Sequence, residues 1–319
     1  MTPVAAFMLA LLGLGAAQAQ TWPAKPLRLV VAAPAGSSLD VLARVIGDKL
    51  GDRLGQRVIV DDRPAAGGTA ATELVAQSPP DGLALVMSFN GPLAFGPYLY
   101  PQLPYVPVRD LAPVIITSSQ PNVLAVSAEL PVHSVAELVA YAKARPGRLS
   151  YASVGNGSSS HLTMELFKAA AGLDMVHVPF NGSPPAVMAT AQGETQLLFA
   201  VMQPLQAQIR AGKLRALAVT SAKRFALLPE LPTIAEAGFP GFAALAWNGV
   251  LVAHATPRPI VDRLNGEINA ILRDPAVKAN LNAQGFELIG GTPEDFMQLI
   301  ASESDKWAPV IRRTGVRID

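Results

Sequence analysis

The chain has 319 residues, a net charge of +1 from 25 Lys and Arg against 24 Asp and Glu, and no Cys. Charged residues make up 15% and apolar residues 50%, which excludes a disordered chain and leaves no electrostatic field for nucleic acid. Without Cys there is no disulfide, thiol nucleophile or Cys-based zinc site. A length of about two domains buries enough surface to need no such staple.

Residues 1–20 carry no charge. Val4 to Ala17 is apolar or small, and Ala17-Gln18-Ala19 supplies the small-x-small pattern of a signal peptidase site. The run is shorter than the roughly 20 residues that span a bilayer, and no later segment approaches that length. We expect a signal peptide over 1–19, cleaved after Ala19, and a soluble periplasmic chain.

Leu27 to Ala33 is a β-branched apolar run that ends in Pro-Ala-Gly, the pattern of a buried strand and its loop. Leu39, Leu42, Ala43, Ile46, Leu50 and Leu54 recur at helical spacing and predict a helix over 39–54. Val58 to Val60 is a second strand, followed by the loop from Arg63 to Gly68 and a helix through Ala76. Leu83 to Met87 is a third strand. Strands alternating with helices at this spacing predict a parallel sheet with right-handed crossovers.

The middle third repeats this grammar. Ser134 and Glu137 predict a capping box and a helix that stops before Pro146. Strands are expected at 149–154, 175–178, 196–201 and 214–220. Helices are expected at 158–171, 184–192 and 205–211. The last third predicts a strand at 249–253, a helix at 257–272 and another opening at Thr292-Pro293. No repeat of 20–50 residues is visible. The fold class is therefore α/β in two lobes, with chain crossings near Ser119-Gln120-Pro121 and Ala246-Trp247.

The catalytic motifs fail one by one. The four His (His133, His161, His177, His254) have neither i, i+4 spacing nor carboxylate company, so no metal site is expected. No Gly-x-Ser-x-Gly elbow occurs, and Gly212-Lys213 lacks the rest of a phosphate loop. Gly155-x-Gly157-x-x-Ser160 falls short of a dinucleotide fingerprint, and no acid ends the next strand. No cofactor is expected. His161, in the first turn of a helix, reads as a partly exposed helix residue. The enzyme alternative is an exported α/β hydrolase using Ser158 or Ser159 with His161.

What remains is a set of small-residue loops, each after a strand. They cover 34–38, 64–68, 88–91, 153–160 and 179–183. Ligands of open α/β sheets bind beyond the carboxyl ends of the strands. Gly admits close backbone approach, Ser and Asn supply neutral donors, and helix starts present free N–H groups. Two loops lead straight into helices, at Ser37 to Leu39 and Gly157 to Ser159. They predict an anion site built without Arg or Lys. Four or five charge-assisted hydrogen bonds of about 1.5–3 kcal/mol each suffice for the roughly 8 kcal/mol of micromolar binding.

At these residues the chain resembles the Bug/TctC family, the extracytoplasmic solute receptors of tripartite tricarboxylate transport. The matching segments run over the mature chain: KPLRLVVAAPAG with Asp40, the Arg63-Pro64 loop with Gly67-Gly68, Pro80-Asp81-Gly82, LSYASVGNGSSSHL, DMVHVPFNGSPPAV, AGKLRALAVTSAKR, LPTIAEAGFPGF and Gly290 to Glu294. The resemblance implies a two-lobed periplasmic binding protein of type II, the Venus-flytrap fold. Lobe 1 would cover 20–121 and 247–319, and lobe 2 122–246. It implies ligand contacts at Pro34, Ala35, Gly36, Ser37, Ser38, Asp40, Gly67, Gly68, Phe89 and Asn90 from lobe 1. From lobe 2 it implies Ser153, Val154, Asn156, Gly157, Ser158, Ser159, Phe180, Asn181, Gly182 and Ala200. Asp40 is expected to brace its loop rather than touch an anion. Ala200 stands where many members have Asp, which disfavours an amino-acid ligand. Phe180 replaces a commoner Tyr, which suits a less polar or aromatic acid. The expected partners are a small carboxylate and membrane permease subunits or a sensor protein, with the chain acting as a monomer.

Overall fold

The computed structural model describes residues 22–318, and the signal peptide expected over 1–19 lies outside them. Among the described residues, ten strands form two sheets. They are β1 (Leu27–Val31), β2 (Val58–Asp62), β3 (Ala84–Phe89), β4 (Leu111–Pro121) and β5 (Val123–Ser127). Then come β6 (Ser150–Ser153), β7 (Val176–Pro179), β8 (Leu197–Ala200), β9 (Leu214–Val219) and β10 (Leu245–Ala253).

The first sheet has the order β2-β1-β3-β10-β4 and the second β7-β6-β8-β5-β9. Strands β1, β2 and β3 pair in parallel, as do β6, β7 and β8. The fourth strand of each sheet runs against both its neighbours. That strand is also the one the chain brings over from the other sheet. β5 follows β4 after Asn122 alone, and β10 follows the segment 220–244 that leaves β9. Both sheets therefore share one plan, and the two antiparallel strands carry the crossings.

The parallel pairing expected for the first three strands is present, and β10 and β4 extend that sheet with antiparallel pairs. β4 and β5 had no sequence signal of their own. Most of β4 is buried and all of β5 is, so neither alternates between apolar and polar residues. β10 begins at Leu245, four residues earlier than its apolar run, because Trp247 and Asn248 join the ladder opposite Ser119 and Ser118.

The helices form where the apolar spacing predicts. Helix Ser38–Leu54 buries Leu39, Leu42, Ala43, Ile46, Leu50 and Leu54 and packs on β2 and on helix Arg258–Arg273. Each fully buried Leu or Ile contributes about 1.5–3 kcal/mol, so a charge at Leu42 would unseat this helix. Gly55 ends it in the left-handed region at φ 67, a conformation that suits Gly. Helix Val135–Lys143 has the expected Ser134 cap, but Glu137 reaches one residue further back, to the N–H of His133 at 2.7 Å. Helix Pro275–Asn282, capped by Asp274, had not been expected.

The C-terminal helix Pro293–Thr314 opens with a full capping box between Thr292 and Asp295. It packs on β4 and also touches helix Ser159–Ala171 beside the second sheet. Just beyond it, the Ile318 N–H donates to the Leu99 carbonyl at 3.0 Å.

Candidate ligand-binding cleft

A cleft of about 840 Å³, open solvent at its mouth included, lies between the two sheets. None of the residues that line it is charged.

The two lobes build their sides of the cleft with the same device. After β1 the chain turns at Gly36 (φ 76) and starts a helix at Ser37, whose backbone sits at φ −71 and ψ 164. After β6 it turns at Gly157 (φ 71) and starts a helix at Ser158, at φ −72 and ψ 162. Each serine Oγ accepts the N–H three residues on, from Asp40 and from His161, both at 3.3 Å. Each of those residues reaches back to brace the glycine. Asp40 Oδ2 accepts the Gly36 N–H at 2.7 Å, and His161 Nδ1 accepts the Gly157 N–H at 3.2 Å.

The cap leaves two N–H groups of each first turn without an intrahelical acceptor. They belong to Ser38 and Leu39 in one lobe and to Ser159 and Ser160 in the other. All four residues line the cleft. Helices Thr69–Ala76, Ser183–Ala191 and Met202–Arg210 also start at its wall, after Gly68, Gly182 and Val201. Each helix start carries up to about half a positive charge. The cleft thus gathers backbone dipoles and hydroxyls of the kind that suit an anion.

Of the residues implied by the sequence, Pro34, Ser37, Ser38, Gly67, Gly68, Phe89, Asn90, Val154, Ser158, Ser159, Asn181, Gly182 and Ala200 line this cleft together. Ala35, Gly36, Asp40, Ser153, Asn156, Gly157 and Phe180 do not. Gly36, Gly157 and Asp40 shape the loops behind it. Arg44 Nε, 2.6 Å from Asp40 Oδ1, offsets the Asp40 charge. Ser153 Oγ is bonded to His177 Nε2 at 2.7 Å. Phe180 packs with the apolar cluster of Val123, Leu198 and Phe225.

The sequence reading missed the floor of the cleft, which includes Gln120, Asn122, Ala246, Trp247 and Asn248. Their signal was the crossing segments themselves, since strands that join two lobes must pass beneath the cleft. Asn122 ties the crossings together. Its N–H donates to Thr220 Oγ1 at 2.9 Å, and Thr220 Oγ1 donates to the Ala244 carbonyl at 2.5 Å. The Asn122 amide donates to Ser159 Oγ at 2.8 Å. Glu303 Oε2 accepts both indole N–H groups of Trp247 and Trp307, at 3.3 and 3.1 Å, and so fixes the Trp247 ring.

The match to known proteins covers nearly the whole chain. A family model described as the tripartite tricarboxylate transporter family receptor matches residues 42–316. The chain belongs to that receptor family. It is 39% identical over 301 residues to the protein BugT of Bordetella pertussis, covering 94% of this chain and 92% of BugT. The solved structure of R. palustris Rpa4515 with adipate superposes with a TM-score of 0.90 at 37% identity, over 92% of this chain and 98% of that one. MatC from Rhodopseudomonas palustris with bound malate superposes with a TM-score of 0.87 at 29% identity, over 91% and 100%. The fold is the two-lobed type II binding-protein fold, and the receptor is a solute-binding protein, not an enzyme.

The geometry around Ser158 agrees. Ser158 Oγ donates to the Gly155 carbonyl at 2.6 Å, and Ser159 Oγ accepts from Asn122. Among the described residues, no hydrogen bond joins either hydroxyl to the His161 ring. A hydrolase needs that nucleophile–base contact, so the hydrolase alternative has no support.

His161 is also not the partly exposed residue the sequence suggested. It is buried and stacked on His177, with ring centroids 4.0 Å apart, and His177 stacks in turn on Tyr151 at 4.8 Å. Burial, with His177 and Lys168 close by, lowers the His161 pKa to about 3. Burial also lowers that of His177, to about 4. Both rings are neutral at physiological pH, which lets His161 Nδ1 accept the Gly157 N–H. Among the described residues, no helix is long and apolar enough to cross a membrane, and no group of His, Asp or Glu is arranged for a metal ion.

Proposed function

We propose that this receptor is exported to the periplasm and closes its lobes on the carboxylate group of a small organic acid. Among the described residues we assign 22–121 and 247–318 to lobe 1 and 122–246 to lobe 2, with the chain crossing back at the start of β10. The observation that carries this is the pair of serine-capped helix starts, one from each lobe, facing one uncharged cleft. An anion there gains hydrogen bonds from both lobes only when they close, so it biases the hinge toward the closed form. The adipate and malate bound by the two related proteins are small carboxylates and support the same ligand class. Closure gives permease subunits or a sensor protein a surface on which both lobes are presented together.

The test is a thermal-melt and calorimetry screen of the mature chain against mono- and dicarboxylic acids and their neutral amides. A bound acid at a hundredfold excess over its Kd adds about 2.7 kcal/mol of stability, a rise of several degrees in Tm. The amides should add nothing. Equal stabilisation by acids and amides, or by none of the acids, rejects the carboxylate clamp.

A further inference from the structure

The two serine-capped turns share a backbone, but their surroundings differ. A methyl group placed on Gly36 of the first turn would meet nothing within 4 Å. On Gly157 of the second it would lie 2.8 Å from Leu99 Cδ1 and 3.0 Å from Ile318 Cδ1. Leu99 and Ile318 both belong to lobe 1. The Ile318 N–H donates to the Leu99 carbonyl at 3.0 Å, which ties the two residues together. Neither of them lines the cleft. Lobe 1 therefore grips this turn of lobe 2 from outside the cleft.

The segment that carries Ile318 runs along the helix that the turn starts. Thr314, at the end of helix Pro293–Thr314, borders a surface groove with Glu165, Lys168 and Ala169 of helix Ser159–Ala171. Four residues on, Ile318 reaches Gly157 at the start of the same helix. The lengths agree. Four extended residues span up to about 14 Å, and the rise along the helix from Gly157 to Glu165 is about 12 Å. Val316 and Ile318 are half-buried against the apolar core, with Arg317 exposed between them, the alternation of an extended segment packed on one side.

We propose that residues 315–318 form a strap and that Ile318 is a positioning residue for the helix start at Ser158. The proposal rests on the carboxylate reading above, since it concerns how that site is held. The turn has little else to fix it. Its Gly157 N–H donates to His161 Nδ1 and its Ser158 N–H to the Gly155 carbonyl, both at 3.2 Å, the long end of the usual range. Without the Ile318 side chain, Gly157 gains room to move outward, and the N–H groups of Ser159 and Ser160 move with it. Affinity then depends on a residue that never meets the ligand.

The experiment compares Ile318→Ala, Ile318→Leu and Val316→Ala with the unaltered mature chain. Amide hydrogen exchange is read first, with no ligand added. In Ile318→Ala the loop 155–160 should exchange at least about threefold faster, and the loop 34–39 at its unaltered rate. Calorimetry with adipate and malate as probes should show binding about three- to tenfold weaker. Ile318→Leu keeps the bulk and should restore both readings. Val316 does not come within 4 Å of the Gly157 methyl position, so Val316→Ala should change neither. Unaltered exchange of 155–160 in Ile318→Ala overturns the strap. Equal acceleration of both loops, or the same effect in Val316→Ala, overturns it too, because either marks a general loss of packing. Faster exchange of 155–160 with full affinity overturns the positioning role. If no acid binds the unaltered chain, the carboxylate reading fails, and exchange in the ligand-free chain still decides the strap.

Discussion

A methyl group placed on Gly67 of the first lobe would lie 2.6 Å from the carbonyl oxygen of Asn156 in the second. The lobes meet here backbone to backbone, at the lip of the cleft. Gly91 and Gly182 repeat the arrangement opposite the Gly157 carbonyl and the Pro34 ring. Gly67 has a φ of 61, and so does Gly172, which ends helix Ser159–Ala171 with nothing within 4 Å of its methyl position. The two positions carry the same backbone strain, about 1–2 kcal/mol for Ala, and differ only in crowding. Gly172→Ala should lower stability by that amount and leave ligand affinity unaltered. Gly67→Ala should lower stability similarly and weaken binding at least tenfold, because the lobes can no longer close fully. Calorimetry on both variants with one acid decides it, and equal affinities would remove the lip contact from the mechanism.

Ser158 gives a charge test that spares the fold. Asp caps a helix about as well as Ser. Ser158→Asp loses the hydroxyl's bond to the Gly155 carbonyl, so stability should fall by only about 1–2 kcal/mol. Its carboxylate would sit where an anionic ligand binds. Two negative charges about 4 Å apart repel by roughly 4 kcal/mol near a protein surface, so affinity for any acid should fall a hundredfold or more. Ser158→Ala removes the cap without adding charge and should cost about 1 kcal/mol of stability, with a much smaller loss of affinity. A Ser158→Asp chain that binds acids normally would show that this helix start does not hold the carboxylate.

These results bear on what the amino-acid order alone reveals. Both Ser-capped loops are legible, because Gly36-Ser37 and Gly157-Ser158 are local signals of a turn and a helix start. Their equivalence is not legible. Asp40 and His161 brace the preceding glycine in the same way, yet they share a role and no chemistry that a repeat search would match. Gln120 and Asn248 are legible only as parts of the two chain crossings, and their place at the cleft is not. They face the cleft only because β10 lies between β3 and β4, a pairing made over more than 120 residues. The Asn90 amide is set by the carbonyl of Leu245, 155 residues away. Local pattern reaches the loops, and long-range pairing sets the floor.

Ala200 should control whether an amino group is tolerated. It ends β8, is buried and lines a cleft without charged residues. Ala200→Asp would place a carboxylate there. Plain acids should bind at least tenfold more weakly, since like charges at that range repel by more than 1.4 kcal/mol. Their 2-amino counterparts should lose less or gain, because the new carboxylate pairs with the ammonium. Ala200→Asn adds similar bulk without charge and should not change the ratio between the two. The measurement is the ratio of Kd values for matched acids, such as succinate and aspartate. A ratio unmoved by Asp would mean that this position does not read the ligand's charge.

Acid should destabilise the receptor through the stacked histidines. The pKa values of His161 and His177 are lowered to about 3 and about 4 from the ordinary 6.5, chiefly by burial. The unfolded chain takes up protons near pH 6.5, whereas the folded chain holds both rings neutral well below it. Stability from this source is complete above pH 6.5 and drains as the pH falls toward 4, where His177 protonates; His161 continues the loss to about 3. Each proton gives a slope of at most about 1.4 kcal/mol per pH unit, and the part-exposed His177 gives less. Protonated His161 Nδ1 also cannot accept the Gly157 N–H, so ligand affinity should hold down to about pH 4 and fall only as the pH nears 3. Urea midpoints at pH 7, 6, 5 and 4.5 test this above the range where most carboxylates titrate. His177→Phe keeps a stacked ring without a titrating nitrogen, so its acid slope should be visibly shallower than that of the unaltered chain. Flat midpoints from pH 7 to 4.5, or equal slopes in the two proteins, would mean that the stack carries no share of the acid sensitivity.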